Sequence, residues 1–231
     1  MTRFQGNVGQ EYGLFMLVCP HYMEMRKLVG DTIADNNCDR ILEIGCGSGY
    51  TTSEILLTNP HSNIIAIDNE PVMIKKAEIS LDDYVREGQV EFIEADALLY
   101  LQSLESESFD AFVSGFTMHN FRKDYRNELL SEAYRVLRRG GLFVNADKYA
   151  KYNIEEHKKD LELRLDKIKS VFKNIERNDL QEEWIKHYLE DENHNVIQRE
   201  EKSIREMQEL GFRHLEFTYR HEMEAILVGI K

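Results

Sequence analysis

The hydrophobic residues of the first 150 positions form short continuous runs, separated by segments with helical spacing. Five apolar runs predict buried strands over Asp39–Ile44, Asn63–Ile67, Val90–Ile93, Asp110–Val113 and Leu142–Asn145. The segments between them predict helices over Thr51–Thr58, Pro71–Ser80 and Tyr125–Arg138, and we expect Gly140-Gly141 to end the last helix. Strands that alternate with helices predict a parallel sheet joined by right-handed crossovers.

The second half of the chain has a different pattern, with neither glycine nor proline between Leu142 and Leu210. An apolar stripe at helical spacing runs from Leu161 to Ile175, and a second amphipathic segment surrounds Trp184. We interpret the stripe as a helix packed on its own domain rather than as a coiled-coil dimer seam. The chain ends in two strand-like runs, Leu215–Tyr219 and Ala225–Ile230, which predict a closing hairpin.

These elements predict an α/β fold in one domain over residues 1–231. Its core is a doubly wound, mostly parallel seven-stranded sheet of the Rossmann-like type, closed by a C-terminal antiparallel hairpin. Residues 1–37 are expected to form an N-terminal lid, and residues 150–210 a helical insertion. A length of 231 residues suits a single core of this kind.

Charge and composition narrow the class of protein. The formal net charge of −13 disfavours nucleic acid and anionic lipid as partners. No run of about 18 apolar residues predicts a membrane span, and the polar N-terminus does not resemble a secretory signal. Three scattered cysteines fit neither a disulfide framework nor a zinc cluster. We therefore expect a soluble, reduced, cytoplasmic protein.

The most informative segment is the glycine loop Glu43–Gly49, which lies between the first strand and a helix. Glycines there let the backbone turn tightly and approach a ligand closely. Asp68 ends the next strand, nineteen residues after Gly49, where a carboxylate can accept hydrogen bonds from ribose hydroxyls. Glycine loop, helix and strand-ending acid, in that order, indicate an adenosine-type cofactor.

The spacing and charge of the loop distinguish two cofactors. Dinucleotide enzymes use G-x-G-x-x-G to hold a pyrophosphate, whereas this loop reads G-x-G-x-G with Glu43 two residues before its first glycine. An acid at that position favours a cation over a pyrophosphate. S-adenosylmethionine, with its ammonium and sulfonium groups, therefore fits better than NAD.

The chain resembles the class I S-adenosylmethionine-dependent methyltransferases in Glu43–Gly49, Asp68, Ala95-Asp96-Ala97 and Arg135–Gly141. The resemblance implies that Gly45, Cys46 and Gly47 line the amino-acid end of the cofactor. It implies that Asp68 holds the ribose, that Asn69 and Met73 flank the adenine, and that Asp96 accepts from the adenine amino group beside Ala97. We also assign Glu43, Gly49 and Ser114 to the cofactor site.

A narrower resemblance is to the branch that contains carboxy-S-adenosylmethionine synthase. It rests on Phe4–Val8, Cys19–Tyr22, Phe116-Thr117, Asp147–Tyr149 and Glu209–Phe212. The branch has a helical insertion between its fifth and sixth strands and often forms dimers, which implies a possible homodimer here. Two features depart from the synthases: Gly47 replaces a bulkier residue, and Glu206 occupies the place of a carboxylate-binding arginine, with Arg205 beside it.

These departures favour ordinary methyl transfer to a small-molecule acceptor by in-line displacement. Three alternatives remain. One is synthase-like chemistry, with the extra carboxylate near Arg199 or Arg205. The others are a non-catalytic S-adenosylmethionine-binding protein and NAD-dependent oxidoreduction.

Several side chains are candidates for direct roles in catalysis or binding. His119 follows the fourth strand, and its ordinary pKa of about 6.5 suits a general base, although a rim histidine bonded to a carbonyl is an equal alternative. Tyr22 or Arg26 of the lid could bind the cofactor carboxylate. We interpret Cys46 as a small packing residue. Five other histidines lack metal-like clustering and are expected on the surface: His157, His187, His194, His214 and His221.

Overall fold

The computed structural model describes residues 12–231, so the Phe4–Val8 part of the resemblance lies outside the described residues. Seven strands form one sheet. They are β1 Arg40–Ile44, β2 Asn63–Asp68, β3 Val90–Glu94, β4 Phe109–Gly115, β5 Leu137–Lys148, β6 Arg213–His221 and β7 Glu224–Ile230. The doubly wound, mostly parallel sheet with its C-terminal antiparallel hairpin is confirmed.

The strand order is β3-β2-β1-β4-β5-β7-β6. The first five strands of this order are mutually parallel, whereas β7 runs antiparallel to both β5 and β6. The order reverses between β1 and β4, so the chain leaves β1 toward one edge and later returns on its other side. Ligands of open α/β sheets bind at such a switch point, beyond the carboxyl ends of the strands.

Ten α-helices surround this sheet in residues 12–231. They are α1 Phe15–Val18, α2 Tyr22–Asp35, α3 Tyr50–Thr58, α4 Pro71–Ser80, α5 Asp82–Arg86, α6 Ala97–Ser103, α7 Lys123–Val136, α8 Ile154–Asn174, α9 Asn178–Asp191 and α10 Glu200–Leu210. The bounds of α4 agree with the sequence prediction. None of these helices is both long and apolar enough to cross a membrane.

One expectation about a boundary was wrong. Helix α7 ends at Val136, and Gly140-Gly141 lies inside β5 instead of ending the helix. The cause is pairing with the end of β7, because the Gly140 N–H donates to the Lys231 carbonyl and the Lys231 N–H donates to the Gly141 carbonyl. In the predicted insertion, α8 and α9 pack on each other, whereas α10 packs on α7 and β6 and belongs to the sheet layers.

Buried apolar side chains form two clusters. One cluster contains residues of α7 and α10, among them Leu129 and Met207. The other contains residues of α1, α2 and the insertion, among them Met25, Phe172 and Trp184. The Phe15 and Trp184 rings stack with centroids 5.1 Å apart, so the N-terminal segment and the insertion share one core.

Candidate functional site

A cavity of about 380 Å³ opens at the carboxyl ends of the parallel strands, at the β1/β4 switch point. Its wall comes from the loops that follow β1, β2, β3 and β4, together with the start of α2. Nine residues assigned from the sequence line it: Tyr22, Gly45, Cys46, Gly47, Asp68, Asn69, Met73, Asp96 and Ala97. The structure thus brings together residues that lie more than seventy positions apart.

The glycine loop is held in a shape that only glycine adopts easily. Gly45, Gly47 and Gly49 have φ angles of +65°, +54° and +84°. A Cβ on Gly45 would overlap the Thr117 side chain, whereas a Cβ on Gly47 would meet no atom within 4 Å. Gly45 therefore lets the loop approach the end of β4, and Gly47 leaves the cavity wall open. These observations fit a ligand that approaches the backbone closely.

Asp68 ties the loop to the end of β2. Its Oδ2 accepts a hydrogen bond of 2.8 Å from the Gly47 N–H, and its Oδ1 accepts one of 2.9 Å from the Glu70 N–H. Burial raises the pKa of this carboxyl, and the backbone donors counteract that rise by stabilising the charged form. Each oxygen keeps further lone-pair capacity, which suits a carboxylate that also accepts from ribose hydroxyls.

Asp96 occupies the end of the cavity that the resemblance assigns to adenine. Its Oδ1 accepts from the Leu99 N–H at 3.0 Å and so caps helix α6. The same oxygen accepts from the Tyr125 hydroxyl at 3.0 Å, and that hydroxyl in turn accepts from the Leu98 N–H. Tyr125 was missed in the sequence because it begins an ordinary amphipathic helix 29 residues later.

Glu43 does not line the cavity, contrary to the sequence assignment. Its side chain is 1% exposed, and its Oε2 accepts a 2.6 Å hydrogen bond from the Thr52 hydroxyl. Burial raises the pKa of Glu43 to about 7, while Thr52 and Arg26 oppose the rise. The carboxyl is therefore only partly charged at neutral pH. This weakens the argument from charge against a pyrophosphate, whereas the argument from the spacing of the glycines is unaffected.

Tyr22 and Arg26 of α2 line the cavity and are buried. The Arg26 guanidinium carbon lies 3.3 Å from the centre of the Tyr22 ring and 4.6 Å from that of Tyr50. Stacking between two aromatic rings restricts the guanidinium and places a cation at the cavity wall. This arrangement suits recognition of a carboxylate there.

Gly49 and Ser114 were assigned to the cofactor site, but neither lines the cavity. Gly49 precedes α3, where a Cβ would contact Ala77 and Leu81 at 3.1–3.2 Å. Ser114 is fully buried in the sheet, paired with Ile44 of β1 and Asn145 of β5. Gly49 lies at the start of a helix, and Ser114 lies in the interior of the sheet. The spacing of the motif in the sequence did not distinguish these two places from the cavity wall.

His119 also lies outside the cavity lining, whereas its neighbours Asn120 and Phe121 face the cavity. Asp147 at the end of β5 accepts from the His119 backbone N–H at 3.0 Å and bonds the ring through Nδ1. Burial lowers the pKa of His119, and the Lys148 ammonium lowers it further. His119 was expected at the mouth of the active site. It is instead buried and held by Asp147.

Two further histidines correct the sequence interpretation. His157 and His187 were expected on the surface but are 3% and 7% exposed, because α8 and α9 turn them toward the sheet. Ligand-type atoms of His119, His187 and Asp191 lie within 4.8 Å of one another, so histidines do cluster in this fold.

Comparisons with known proteins extend this geometry. The sequence model of a family described as a methyltransferase domain matches residues 42–145. A carboxy-S-adenosyl-L-methionine synthase from Shewanella sediminis is 31% identical over 136 residues, which are 56% of this chain and 53% of that protein. A malonyl-(acyl-carrier protein) O-methyltransferase from a Paenibacillus species is 34% identical over 105 residues, 46% of this chain and 37% of that protein.

The chain spans about half the length of the curated synthases that it matches. A solved structure of an O-methyltransferase family protein from Burkholderia thailandensis superposes with a TM-score of 0.69 at 15% identity. That likeness covers 99% of this chain and 61% of the other, and it shows a shared fold. The matched segment, residues 42–145, is thus similar in sequence to methyltransferase domains, and the fold and the cavity are those of class I S-adenosylmethionine-dependent methyltransferases, for which S-adenosylmethionine is the cofactor.

Proposed function

We propose that this protein transfers a methyl group from S-adenosylmethionine to a small-molecule acceptor. The observation that carries the proposal is the cavity of about 380 Å³, in which the glycine loop, Asp68 and Asp96 face one space. The residues suit the cofactor because Asp68 can accept from its ribose and Asp96 from its adenine amino group. When bound, the cofactor supplies an electrophilic methyl group on a sulfonium.

Positioning is the main contribution of the chain to the proposed reaction. Methyl transfer proceeds by in-line displacement, and correct orientation of two reactants lowers such a barrier by about 7–11 kcal/mol in good cases. Gly45 and Gly47 let the loop backbone approach the amino-acid end of the cofactor, while Arg26 offers a cation to its carboxylate. Asn120 and Phe121 form the neighbouring wall, next to which an acceptor can enter.

General-base catalysis by His119 remains a prediction. Asp147 fixes the His119 ring through Nδ1, the arrangement by which carboxylates orient catalytic histidines. The ring is buried and lies outside the cavity lining, so an acceptor in the cavity does not contact it directly in this structure. If His119 is the base, His119→Ala lowers turnover and leaves the dissociation constant of S-adenosylhomocysteine unchanged. Equal turnover would contradict the role.

Carboxy-S-adenosylmethionine synthesis is the second candidate, supported by the relative from Shewanella sediminis. Two residues of that hypothesis do not line the cavity, Arg199 and Arg205, and Arg205 forms an exposed ion pair of 3.0 Å with Glu201. This placement favours methyl transfer. Mass spectrometry of the ligand released from purified protein separates the two, because a carboxylated cofactor adds a fixed mass.

The decisive experiment is incubation of the protein with methyl-labelled S-adenosylmethionine and a pool of small metabolites. A saturable, protein-dependent methylated product is expected, and Asp68→Ala should weaken S-adenosylhomocysteine binding by about 1–3 kcal/mol. Tight binding of the cofactor with no methylated product would instead favour a non-catalytic binding protein. Binding of NAD in place of S-adenosylhomocysteine would contradict both the methyltransferase and the non-catalytic S-adenosylmethionine-binding protein.

A homodimer and a cytoplasmic location also belong to this proposal, with no nucleic-acid partner. The support for a dimer is the resemblance to a branch whose members often pair. Light scattering of purified protein is expected to give twice the chain mass of 27.2 kDa. A mass of one chain would contradict the dimer without affecting the proposed reaction.

A further inference from the structure

A second group of polar side chains lies apart from the cofactor cavity, between the end of the sheet and the insertion. His119, His187 and Asp191 are 5–7% exposed, and each offers a ligand-type atom within 4.8 Å of the other two. The His119 and His187 rings meet edge to face, with centroids 6.1 Å apart. Neither His187 nor Asp191 has a role in the proposed methyl transfer.

His119 is oriented by a carboxylate in the manner of a metal-ligating histidine. Asp147, which is fully buried, bonds to Nδ1 and also accepts from the His119 backbone N–H. A ring that donates from Nδ1 keeps the lone pair of Nε2 available. Histidine ligands of metals are held in this way by a carboxylate that fixes the tautomer and raises ligand basicity.

The other two side chains come from one turn of helix α9. His187 and Asp191 are four residues apart, so they project from the same face, and His187 Nε2 lies 3.9 Å from Asp191 Oδ2. Ligands on a single helical turn keep their relative geometry because the helix is rigid. The third ligand then comes from the sheet side, which ties the insertion to the loop after β4.

A small space lies beside the cluster. It measures about 20 Å³ and is bordered by His119, Asp191, Lys148 and Gln198, among others, whereas His187 does not border it. That volume is about enough for one water molecule or one small ion. The space is too small for an organic acceptor, which separates this site from the cofactor cavity.

One cation already competes for the cluster. The Lys148 ammonium bonds to Asp191 Oδ2 and lies 4.1 Å from the centre of the Tyr188 ring. A carboxylate has two oxygens and about four lone-pair directions, so Asp191 can serve a second cation, more strongly if the ammonium leaves. A metal ion therefore competes with the Lys148 ammonium for Asp191, and the effect of this competition on metal affinity can be measured.

We propose that His119, His187 and Asp191 bind a divalent transition-metal ion of the Zn²⁺ type, in which case His119 ligates through Nε2 and does not act as the general base. Two imidazoles and one carboxylate form a donor set that suits Zn²⁺, with water as the fourth ligand. Ligand bonds of about 2.0–2.1 Å place tetrahedral ligand atoms about 3.3 Å apart, so the three atoms draw together on binding. Bound there, the ion joins the insertion to the loop that borders the cofactor cavity.

The first test uses the full-length, tag-free protein, stripped with a chelator and dialysed. Titration with Zn²⁺ alone should show one equivalent bound, and Co²⁺ as a spectroscopic probe should give visible absorption typical of a four-coordinate site with nitrogen ligands. Metal content is read by elemental mass spectrometry. Absence of stoichiometric binding by the wild-type protein overturns the proposal, whatever the outcome of the methyltransferase assay.

Variants then locate the ion. His187→Ala and Asp191→Asn should each raise the Zn²⁺ dissociation constant at least as much as loss of an outer-shell partner, about 10–100-fold. The matched control is His61→Ala, since His61 is exposed and outside the cluster. Binding that survives both ligand variants overturns the proposal.

Because removal of a buried histidine also threatens the fold, a variant with the opposite expected effect is needed. Lys148→Met removes the competing ammonium and should lower the Zn²⁺ dissociation constant about tenfold or more. If Lys148 had only a structural role, its replacement would not increase the affinity for Zn²⁺. An unchanged or higher dissociation constant in folded Lys148→Met contradicts binding at Asp191.

Discussion

The cofactor cavity and the interface of the insertion with the sheet are built in different ways. The cavity depends on backbone: two glycines with positive φ, Gly45 and Gly47, and the N–H groups that bond to Asp68. The insertion interface is formed by buried charged side chains. Arg164 of α8, 1% exposed, bonds to Glu224 of β7, which is fully buried, and to the Tyr188 hydroxyl at 3.1 Å.

The difference lies in what each region tolerates. A backbone-built site fails when a side chain is added, because a Cβ either overlaps a neighbour or forces a strained φ. A site of buried charges fails when a side chain is removed, because the remaining partner becomes an unpaired buried charge. Four substitutions test this contrast, from the largest expected effect to the smallest.

Arg164→Met should give the largest loss of stability, about 4 kcal/mol, because it leaves Glu224 charged and buried without its partner. The free energy of unfolding from urea titration measures the loss. The control is Arg205→Met, whose 3.0 Å pair with Glu201 is exposed and should contribute almost nothing. The double variant Arg164→Met/Glu224→Gln should recover part of the loss; no recovery would mean that packing, rather than charge, dominates here.

Gly45→Ala should destabilise the protein by about 3 kcal/mol and abolish S-adenosylhomocysteine binding. The added Cβ overlaps Thr117, and alanine is strained at a φ of +65°. Gly140→Ala separates the two causes, because Gly140 has a φ of +76° but no atom within 4 Å of the added Cβ. Equal losses in the two variants would show that strain alone accounts for the effect.

Glu43→Gln tests a buried acid beside the backbone-built site. The pKa of Glu43 is about 7 in the fold against an ordinary value of 4.5, so the folded state binds more protons between these values. Stability from this group is therefore greatest below pH 4.5 and is lost as the pH rises toward 7. Relative to wild type, ligand-free Glu43→Gln should gain about 2 kcal/mol between pH 5 and pH 8. A constant difference across that range would contradict the raised pKa.

Tyr125→Phe should have the smallest effect, about 1 kcal/mol in S-adenosylhomocysteine affinity, because it removes one hydrogen bond to Asp96 and one from Leu98. Calorimetry at fixed salt measures it. Tyr84→Phe is a suitable control, since Tyr84 does not border the cavity. A loss as large as that of Asp68→Ala would mean that Tyr125 contacts the cofactor directly.

The sequence predicted the cavity well because its parts follow one another locally. Each strand ends in a loop of the cavity, so the glycine loop and Asp68 could be singled out from strand ends and spacing, whereas Asp96 was assigned from the family resemblance. Glu43 and Ser114 fell outside the lining because both lie within strands, before the carboxyl ends at which the cavity opens.

The insertion interface could not be predicted because its partners are far apart in sequence. Arg164 and Glu224 are 60 residues apart, Lys148 and Asp191 are 43, and Cys19 bonds to Glu224 across 205. In the sequence, Arg164 and Asp191 belong to amphipathic segments, and no spacing in the sequence pairs them with Glu224, Cys19 or Lys148. Only the docking of α8 and α9 on the sheet turns His157 and His187 inward, which is why they were expected on the surface.

The contact between Gly45 and Thr117 has a consequence for how this domain can be recombined. Three strands lie between the two positions in the sequence, yet the Thr117 side chain fills the space that the absent side chain of Gly45 leaves. A chimera joined between residues 49 and 115 takes the two halves of this contact from different parents. Such a chimera keeps its cavity only if the first parent supplies glycine at position 45, because a side chain smaller than threonine at 117 removes the overlap but not the strain at a φ of +65°.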